Sequence, residues 1–278
     1  MALNLHRSGF LGAIWNRTRA RAEALRAETG VYVAESVAEL AACCQLIVTS
    51  VSRDADATAV VEAMLPGLKP GTVIADTSTT ARDTARRLAE TVATRGAHFL
   101  DAPVSGGVEG ARRGTLVMMI GGDAAVLEQV RGPLSVIASR IVHIGPVGSG
   151  QATKAVNQLM AAGINQAVTE ALAFGCALGL PMDKVVEVVK GGAAANWLLD
   201  HRGLSMLEGR FEPGFQVMLH HKDLRICAQM AKALGVSTLP VVEMTLTDYQ
   251  RLMDEGYGTE DLSALFRLKM RRYQGEGG

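Results

Sequence analysis

From Phe10 to about His143, short apolar runs alternate with stretches in which apolar positions recur every three or four residues. That is the pattern of strands and amphipathic helices taken in turn. It predicts strands at Leu11–Trp15, Gly30–Val33, Gln45–Val51, Thr72–Asp76, His98–Asp101, Thr115–Ile120 and Ile141–His143. Helices are predicted around Thr18–Thr29, Ser36–Ala42, Asp54–Met64, Thr80–Arg95 and Ala124–Ala138. Leu46-Ile47-Val48 and Val73-Ile74-Ala75 are continuously apolar, as strands covered by helices on both faces are. The alternation predicts an α/β fold with a doubly wound, mostly parallel sheet of the nucleotide-binding kind.

Past Gly145-Pro-Val-Gly148-Ser-Gly150 the strand signal stops. The period is then helical throughout: Gln151–Leu178, Met182–Gly191, Trp197–Leu207, Leu219–Leu234, Pro240–Glu255 and Leu262–Tyr273. Two domains are therefore expected, an α/β domain over 1–147 and an all-α domain over 148–278, joined by a long interdomain helix. That helix carries small residues, Ala161, Ala162, Gly163, Ala167 and Ala171, which let other helices approach closely. Burial by a second copy of the chain is expected, giving a homodimer or homotetramer through the helical domain. Gly275–Gly278 reads as a flexible tail.

The amino end does not follow the doubly wound pattern. Such a sheet opens with a strand, then Gly-x-Gly-x-x-Gly, then a helix whose N-terminus holds a pyrophosphate. Here Met1–Ser8 reads as that helix already under way, and the only glycines before Trp15 are Gly9 and Gly12. The first strand and its phosphate loop, roughly 15–20 residues of such a unit, are missing from the pattern. The expectation is that this 278-residue form binds cofactor weakly or folds marginally, and that a longer form is active.

Composition narrows the class. Twenty-eight basic residues balance 28 acidic ones, which argues against a nucleic-acid or membrane-surface partner. Aromatic residues are 4%, too few for base-stacking platforms. No apolar run approaches a membrane span, and Met1–Arg7 lacks the order of a signal peptide, so a cytoplasmic protein is expected. Cys43, Cys44, Cys176 and Cys227 have no spacing that points to zinc or a disulfide framework; all four are expected to be buried thiols. No metal is expected.

Four stretches carry candidate chemistry. Asn16-Arg17-Thr18 follows the first predicted strand, where an acid binds a ribose 2′-hydroxyl and an Arg accommodates a 2′-phosphate. Arg17 favours NADP over NAD; alternatively Arg17 and Thr18 cap the next helix. Asp101-Ala-Pro-Val-Ser105-Gly106-Gly107 ends a predicted strand in a turn with a hydroxyl and exposed N–H groups. It is either a carboxylate cradle or an ordinary turn, and Pro103 excludes a Gly-x-Ser-x-Gly nucleophile. Lys154, Asn157 and Gln158 fall at i, i+3 and i+4 and so share one helix face. A lysine there is a candidate acid–base group or a surface charge. His220 and His221 are adjacent and point apart on a helix, a poor metal pair. His6, His98, His143 and His201 read as structural.

These pieces, in order, resemble the β-hydroxyacid dehydrogenase family. The resemblance rests on Asn16-Arg17-Thr18, Asp101-Ala-Pro-Val-Ser-Gly-Gly107, Gly114-Thr-Leu, Gly121-Gly122, Gly145-x-x-Gly-x-Gly150, Lys154-x-x-Asn157-Gln158, Phe215-x6-Lys222-Asp223-Leu224 and Asp261-Leu-Ser-Ala264. Gly191-Gly192-Ala193, Leu199-Asp200, Phe211-x-Pro213-Gly214-Phe215 and Leu219-His220-x-Lys222 look most like the family's tartronate semialdehyde reductases. The resemblance implies a Rossmann-like first domain and a small hydroxy acid or semialdehyde as substrate. It implies Lys154 as proton donor and acceptor, and Ser105, Gly106 and Gly107 as the substrate-carboxylate site. Asn157 orients substrate with Gln158 beside it, and Phe215 and Lys222 close over the cofactor. Asn16, Arg17 and Thr18 face the adenosine phosphate, while Val51, Ser52, Ser78 and Thr79 lie along the nicotinamide half. Ser50-Val51-Ser52 departs from the family's usual Met-Leu-Pro. The implied reaction is NADPH-dependent reduction of a short 3-oxo acid, with tartronate semialdehyde first among the substrates and 3-hydroxyisobutyrate or another hydroxy acid as the alternative. A non-catalytic relative serving as an interaction module is the second alternative, and the intact Lys154 and Ser105 stretches argue against it.

Overall fold

The computed structural model describes residues 1–274, so the tail reading of Gly275–Gly278 lies outside the described residues. The chain divides into two compact units, Met1–Lys154 and a second that starts at Ala155.

The first unit runs α1 (Ala2–Arg7), β1 (Ala13–Ile14), α2 (Arg19–Thr29), β2 (Tyr32–Val33), α3 (Val37–Cys43), β3 (Leu46–Thr49), α4 (Asp54–Met64), β4 (Val73–Asp76), α5 (Arg82–Ala93), β5 (His98–Asp101), β6 (Val104–Ser105), α6 (Gly107–Arg113), β7 (Leu116–Gly121), α7 (Ala124–Ser135) and β8 (Ala138–Gly145). β3, β4 and β5 are parallel and in register, Thr49 opposite Asp76 and Asp76 opposite Asp101. β7 runs antiparallel to β5 and β6 and parallel to β8.

Side chains alternate across this sheet and both faces are covered. Ile47, Ile74 and Phe99 pack with Val61, Met64, Leu88 and Val92. Val73, Ala75 and Leu100 pack with Leu116, Met118, Leu127 and Leu134. Burial on two faces is why Val73-Ile74-Ala75 shows no alternation in the sequence. In this unit side-chain oxygens cap two of the described helices: Ser36 accepts from Glu39 N ahead of α3, and Asp123 from Ala125 N ahead of α7.

Two features depart from the sequence reading. The stretch read as a turn at Ser105–Gly107 is a short strand, β6, followed at once by α6. Gly106 (φ 121°) and Gly107 (φ 62°) make the reversal in a region closed to most side chains. The second departure is at the front. β1 and β2 form a parallel pair of their own, apart from the six-stranded sheet, and each has two residues where four or five were predicted. A cleft of about 1000 Å³ lies along Ala13–Ile14 of β1 and Leu46–Thr49 of β3. Among the described residues β1 has a ladder on one side only, with β2.

α8 (Ser149–Ala177) starts in the first unit and continues into the second, followed by α9 (Met182–Lys190), α10 (Trp197–Leu207), α11 (Val217–Ala233), α12 (Pro240–Asp254), a 3-10 turn at Leu262–Ala264 and α13 (Leu265–Tyr273). Ala162, Leu172, Leu224, Val242, Leu252, Leu265 and Leu268 form the core of the second unit. Set into it is a polar cluster: Asn165 Nδ2 donates to Tyr249 Oη at 3.0 Å and to Leu262 O at 2.8 Å, and His220 Nδ1 lies 3.0 Å from the same Tyr249 hydroxyl. These bonds satisfy the Asn165 amide nitrogen, while its Oδ1 is buried with no hydrogen-bond partner among the described residues.

The cysteine expectation is corrected. Only Cys227 is buried; Cys43 is exposed, and Cys44 and Cys176 are half-buried. Cys43 ends α3 and Cys44 follows it beside the cleft, so neither has core on every side. Partial burial still pushes the Cys44 thiol up to about 11.

Candidate active site

The cleft collects five of the residues expected to hold cofactor: Asn16, Arg17, Thr18, Val51 and Ser52 all line it. Asn16 Oδ1 accepts from Thr18 N at 2.9 Å, a local turn that sets the chain entering α2. Thr18 is the N-cap of α2 and makes no side-chain cap bond there. Arg17 reaches out to Asp56 of α4, Nη1 to Oδ1 at 2.7 Å, with its side chain 81% exposed. The rim thus carries a guanidinium and, from another element, a carboxylate. Gly12 is the glycine among the described lining residues, and a Cβ there meets nothing within 4 Å, so it is not a close-approach glycine of the phosphate-loop kind. Polar groups of Asn16, Arg17, Thr18 and Ser52 line the cleft, while a glycine-rich pyrophosphate turn is not part of the described lining.

Loops after β3 and β4 carry Val51, Ser52, Ser78 and Thr79, and the structure ties two of these together. Val51 N donates to Ser78 Oγ at 2.9 Å. Ser78 Oγ in turn donates to Asp76 Oδ1 at 2.6 Å, and Thr49 Oγ1 donates to the same oxygen at 2.7 Å. Burial pushes the Asp76 carboxyl above its ordinary value, against the pull of these hydrogen bonds.

Lys154 is 7% exposed in the first turns of α8. Asp101 fixes the start of that helix: Oδ1 accepts from Gly148 N at 2.7 Å and Oδ2 from Gln151 N at 2.8 Å. Burial raises the Asp101 carboxyl and these backbone N–H groups lower it. Gly150 has no room for a side chain, because a Cβ there would lie 2.5 Å from Met119 O and 2.6 Å from Asp101 O. Ser105, at the end of β6, is half-buried, and Gly106 and Gly107 are exposed at the turn into α6.

In the second unit Asn157, Gln158, Lys222 and Asp223 form one chain of contacts. Asn157 Nδ2 donates to Gln158 Oε1 at 2.8 Å and Gln158 Nε2 to Asp223 Oδ2 at 2.6 Å, while Lys222 Nζ lies 2.8 Å from Asp223 Oδ1. Phe215 is held by its backbone. Its N–H donates to Asp261 Oδ2 at 3.0 Å, its carbonyl accepts from Leu262 N at 2.8 Å, and its ring lies 5.3 Å from that of His220. Asp261 also accepts from Gly214 N, Ser263 N and Ser263 Oγ, so the Asp261-Leu-Ser stretch shapes the Phe215 loop. Sequence reasoning assigned no role to Asp76, Gln151 or Asp261. Each has a partner distant in sequence, 27 residues away for Asp76 with Thr49, 73 for Gln151 with Ser78 and 47 for Asp261 with Gly214, and the local signal is limited to a carboxylate or amide beside glycines and serines.

Residues 1–145 match the family model described as the NAD binding domain of 6-phosphogluconate dehydrogenase. Residues 148–269 match the one described as NAD-binding of NADP-dependent 3-hydroxyisobutyrate dehydrogenase. The 2-(hydroxymethyl)glutarate dehydrogenase of Eubacterium barkeri is 32% identical over 273 residues, 96% of this chain and 90% of its own. The 2-hydroxy-3-oxopropionate reductase of Escherichia coli is 40% identical over 167 residues, 60% of this chain and 57% of its own. The crystal structure of 3-hydroxyisobutyrate dehydrogenase from Salmonella typhimurium gives a TM-score of 0.86 at 29% identity, over 96% of this chain and 94% of that one. With an α/β unit, a helical unit and matches that span both, the chain belongs to the β-hydroxyacid dehydrogenase family, oxidoreductases that act on hydroxy acids with a nicotinamide cofactor.

Proposed function

We propose that the chain is an NADP(H)-dependent reductase of a short 3-oxo acid, with tartronate semialdehyde and glycerate as its pair and Lys154 as the acid–base group. The observation that carries the reading is a buried lysine, 7% exposed, in the first turns of α8, sharing one helix face with Asn157 and Gln158. A nicotinamide cofactor supplies hydride to the carbonyl carbon, or accepts it in the reverse direction, when bound. Asn16, Arg17 and Thr18 hold its adenosine end and Val51, Ser52, Ser78 and Thr79 its nicotinamide half, with Phe215 and Lys222 closing on it. The Lys154 ammonium gives its proton to the oxygen that becomes the hydroxyl, and the neutral amine takes it back in oxidation. Ser105 Oγ and the N–H groups of Gly106 and Gly107 hold the substrate carboxylate, and Asn157 orients the substrate with Gln158 beside it.

The substrate reading is supported by Gly191-Gly192-Ala193 and the Phe211–Phe215 stretch, and by 40% identity to a 2-hydroxy-3-oxopropionate reductase over part of the chain. 3-Hydroxyisobutyrate is the second reading, favoured by the structural match. The cofactor reading rests on Arg17. We place the enzyme in the cytoplasm, and as a homodimer or homotetramer through the helical domain, because Val156, Met160 and Ile164 form an exposed apolar row one turn apart on α8. Steady-state rates on a panel of short semialdehydes and hydroxy acids, each with NADPH and NADH, test the proposal. The expected result is the highest kcat/KM for tartronate semialdehyde with NADPH, and turnover of none of the panel overturns it.

A further inference from the structure

A buried hydrogen-bond chain in the first unit joins the strand ends that carry Val51 and Ser78 to the helix that carries Lys154. Gln151 is 1% exposed and both ends of its amide are used: Nε2 donates to Ser78 O at 2.8 Å and Oε1 accepts from Thr80 N at 3.1 Å. One side chain thus spans Ser78-Thr79-Thr80 and fixes the backbone on either side of Thr79. The same residue's backbone N–H is held by Asp101 Oδ2. On the far side of Ser78 the chain continues through Ser78 Oγ to Asp76 Oδ1 and Thr49 Oγ1, and through Val51 N to Ser78 Oγ. Thr49, Asp76, Ser78, Thr80, Asp101 and Gln151 are all buried. Lys154 lies three residues beyond Gln151, on the same face of α8.

We propose that Gln151 is a positioning residue of the reaction. Its amide clamps the Ser78–Thr80 loop to the first turn of α8, so the loop along the nicotinamide half and the acid–base lysine move as one body. The inference deepens the proposed function and rests on its placement of Lys154 and Ser78–Thr79. Hydride and proton transfer to one carbonyl need both groups at fixed distance, and a displacement of about 1 Å can cost about 10²-fold in rate. Polar groups are the suitable clamp because Ser78 O and Thr80 N, buried, are costly to leave unpaired.

Two variants test it. Gln151→Leu keeps the volume and removes both bonds. The expected result is a kcat lowered about 10- to 100-fold, a substrate KM within about threefold of wild type, a larger primary isotope effect on hydride transfer, and Thr80 amide exchange at least about tenfold faster in the cofactor-free protein. Gln151→Glu still accepts from Thr80 N but, ionised, donates nothing to Ser78 O. Thr80 protection is then kept, and kcat relative to wild type climbs as pH falls and the new carboxyl gains a proton. Wild-type kcat or wild-type Thr80 exchange in Gln151→Leu overturns the clamp. If that variant does not fold, a Gln151→Glu pH profile parallel to wild type overturns it. Lys154→Ala run alongside separates the two readings. Lost turnover there with wild-type behaviour in Gln151→Leu sinks the clamp alone. Wild-type turnover in Lys154→Ala sinks the proton role, and Thr80 exchange with the isotope effect then judges the clamp.

Discussion

Three donors crowd onto one oxygen of Asp76, from Thr49 Oγ1, Ser78 Oγ and Ser78 N, while Oδ2 is buried with no partner among the described residues. A carboxylate in that position is dehydrated on one side, so burial lifts its folded value above the ordinary 3.8. The folded state then binds this proton more tightly than the unfolded one. The contribution is fully present below pH 3.8 and is lost as pH rises from there through the raised folded value. Asp76→Asn keeps an acceptor for Thr49 and Ser78 and removes the titration. Its melting temperature is expected to fall less than that of wild type between pH 4 and pH 8, as thermal unfolding across that range shows; equal slopes contradict the assignment. At the cleft rim, Arg17 is 81% exposed and paired with Asp56, so its own ion pair adds little stability, and a 2′-phosphate offers it a stronger partner. Arg17→Ala is expected to lower kcat/KM for NADPH about 10- to 100-fold, the range for a charged hydrogen bond, and leave NADH within about threefold.

Among the elements, α8 carries the account, and its first turn is the part least tolerant of change. Gly150 packs against Met119 O and Asp101 O at distances no Cβ accepts. Gly150→Ala is therefore expected to push the helix off the strand ends, costing about 1–3 kcal/mol as an overpacked site does. Because the shift moves Lys154, kcat falls with it; a chemical denaturation curve and kcat measured on one preparation check both. The long helix and its Lys154-Asn157-Gln158 face were legible in the sequence, since 3.6-residue spacing is a local property. The Gln151 clamp was not, because Ser78, Thr80 and Asp101 meet Gln151 only after the sheet has formed. β6 and α6 were illegible for a related reason: β6 is two residues long, and its strand character comes from pairing with Val117 and Met118 of β7.

For the whole molecule, continuous apolar runs at Leu46–Val48 and Val73–Ala75 located two neighbouring parallel strands, β3 at the end of the six-stranded sheet and β4 inside it, and the change to helical period after Gly145 matches the start of α8 at Ser149. The front of the sheet was the place where the pattern failed in sequence and where the structure is also divided. Among the described residues β1 and β2 pair only with each other, along a cleft of about 1000 Å³ that also holds the rim residues Asn16, Arg17 and Thr18. Strands with a ladder on one side open more readily than those flanked on both. Amides of Ala13–Ile14 and Tyr32–Val33 are expected to exchange at least about tenfold faster than those of Val73–Asp76, as hydrogen exchange read by mass spectrometry resolves. Saturating NADPH is expected to slow them, as any ligand that binds the folded cleft in preference to its opened form does.

The most direct test of the central claim is kcat of Lys154→Ala with tartronate semialdehyde and NADPH, beside the NADPH dissociation constant of the same protein. Loss of a positioned acid–base group predicts a kcat lowered about 10²- to 10⁴-fold with NADPH affinity within about threefold of wild type. Wild-type turnover in Lys154→Ala contradicts the account.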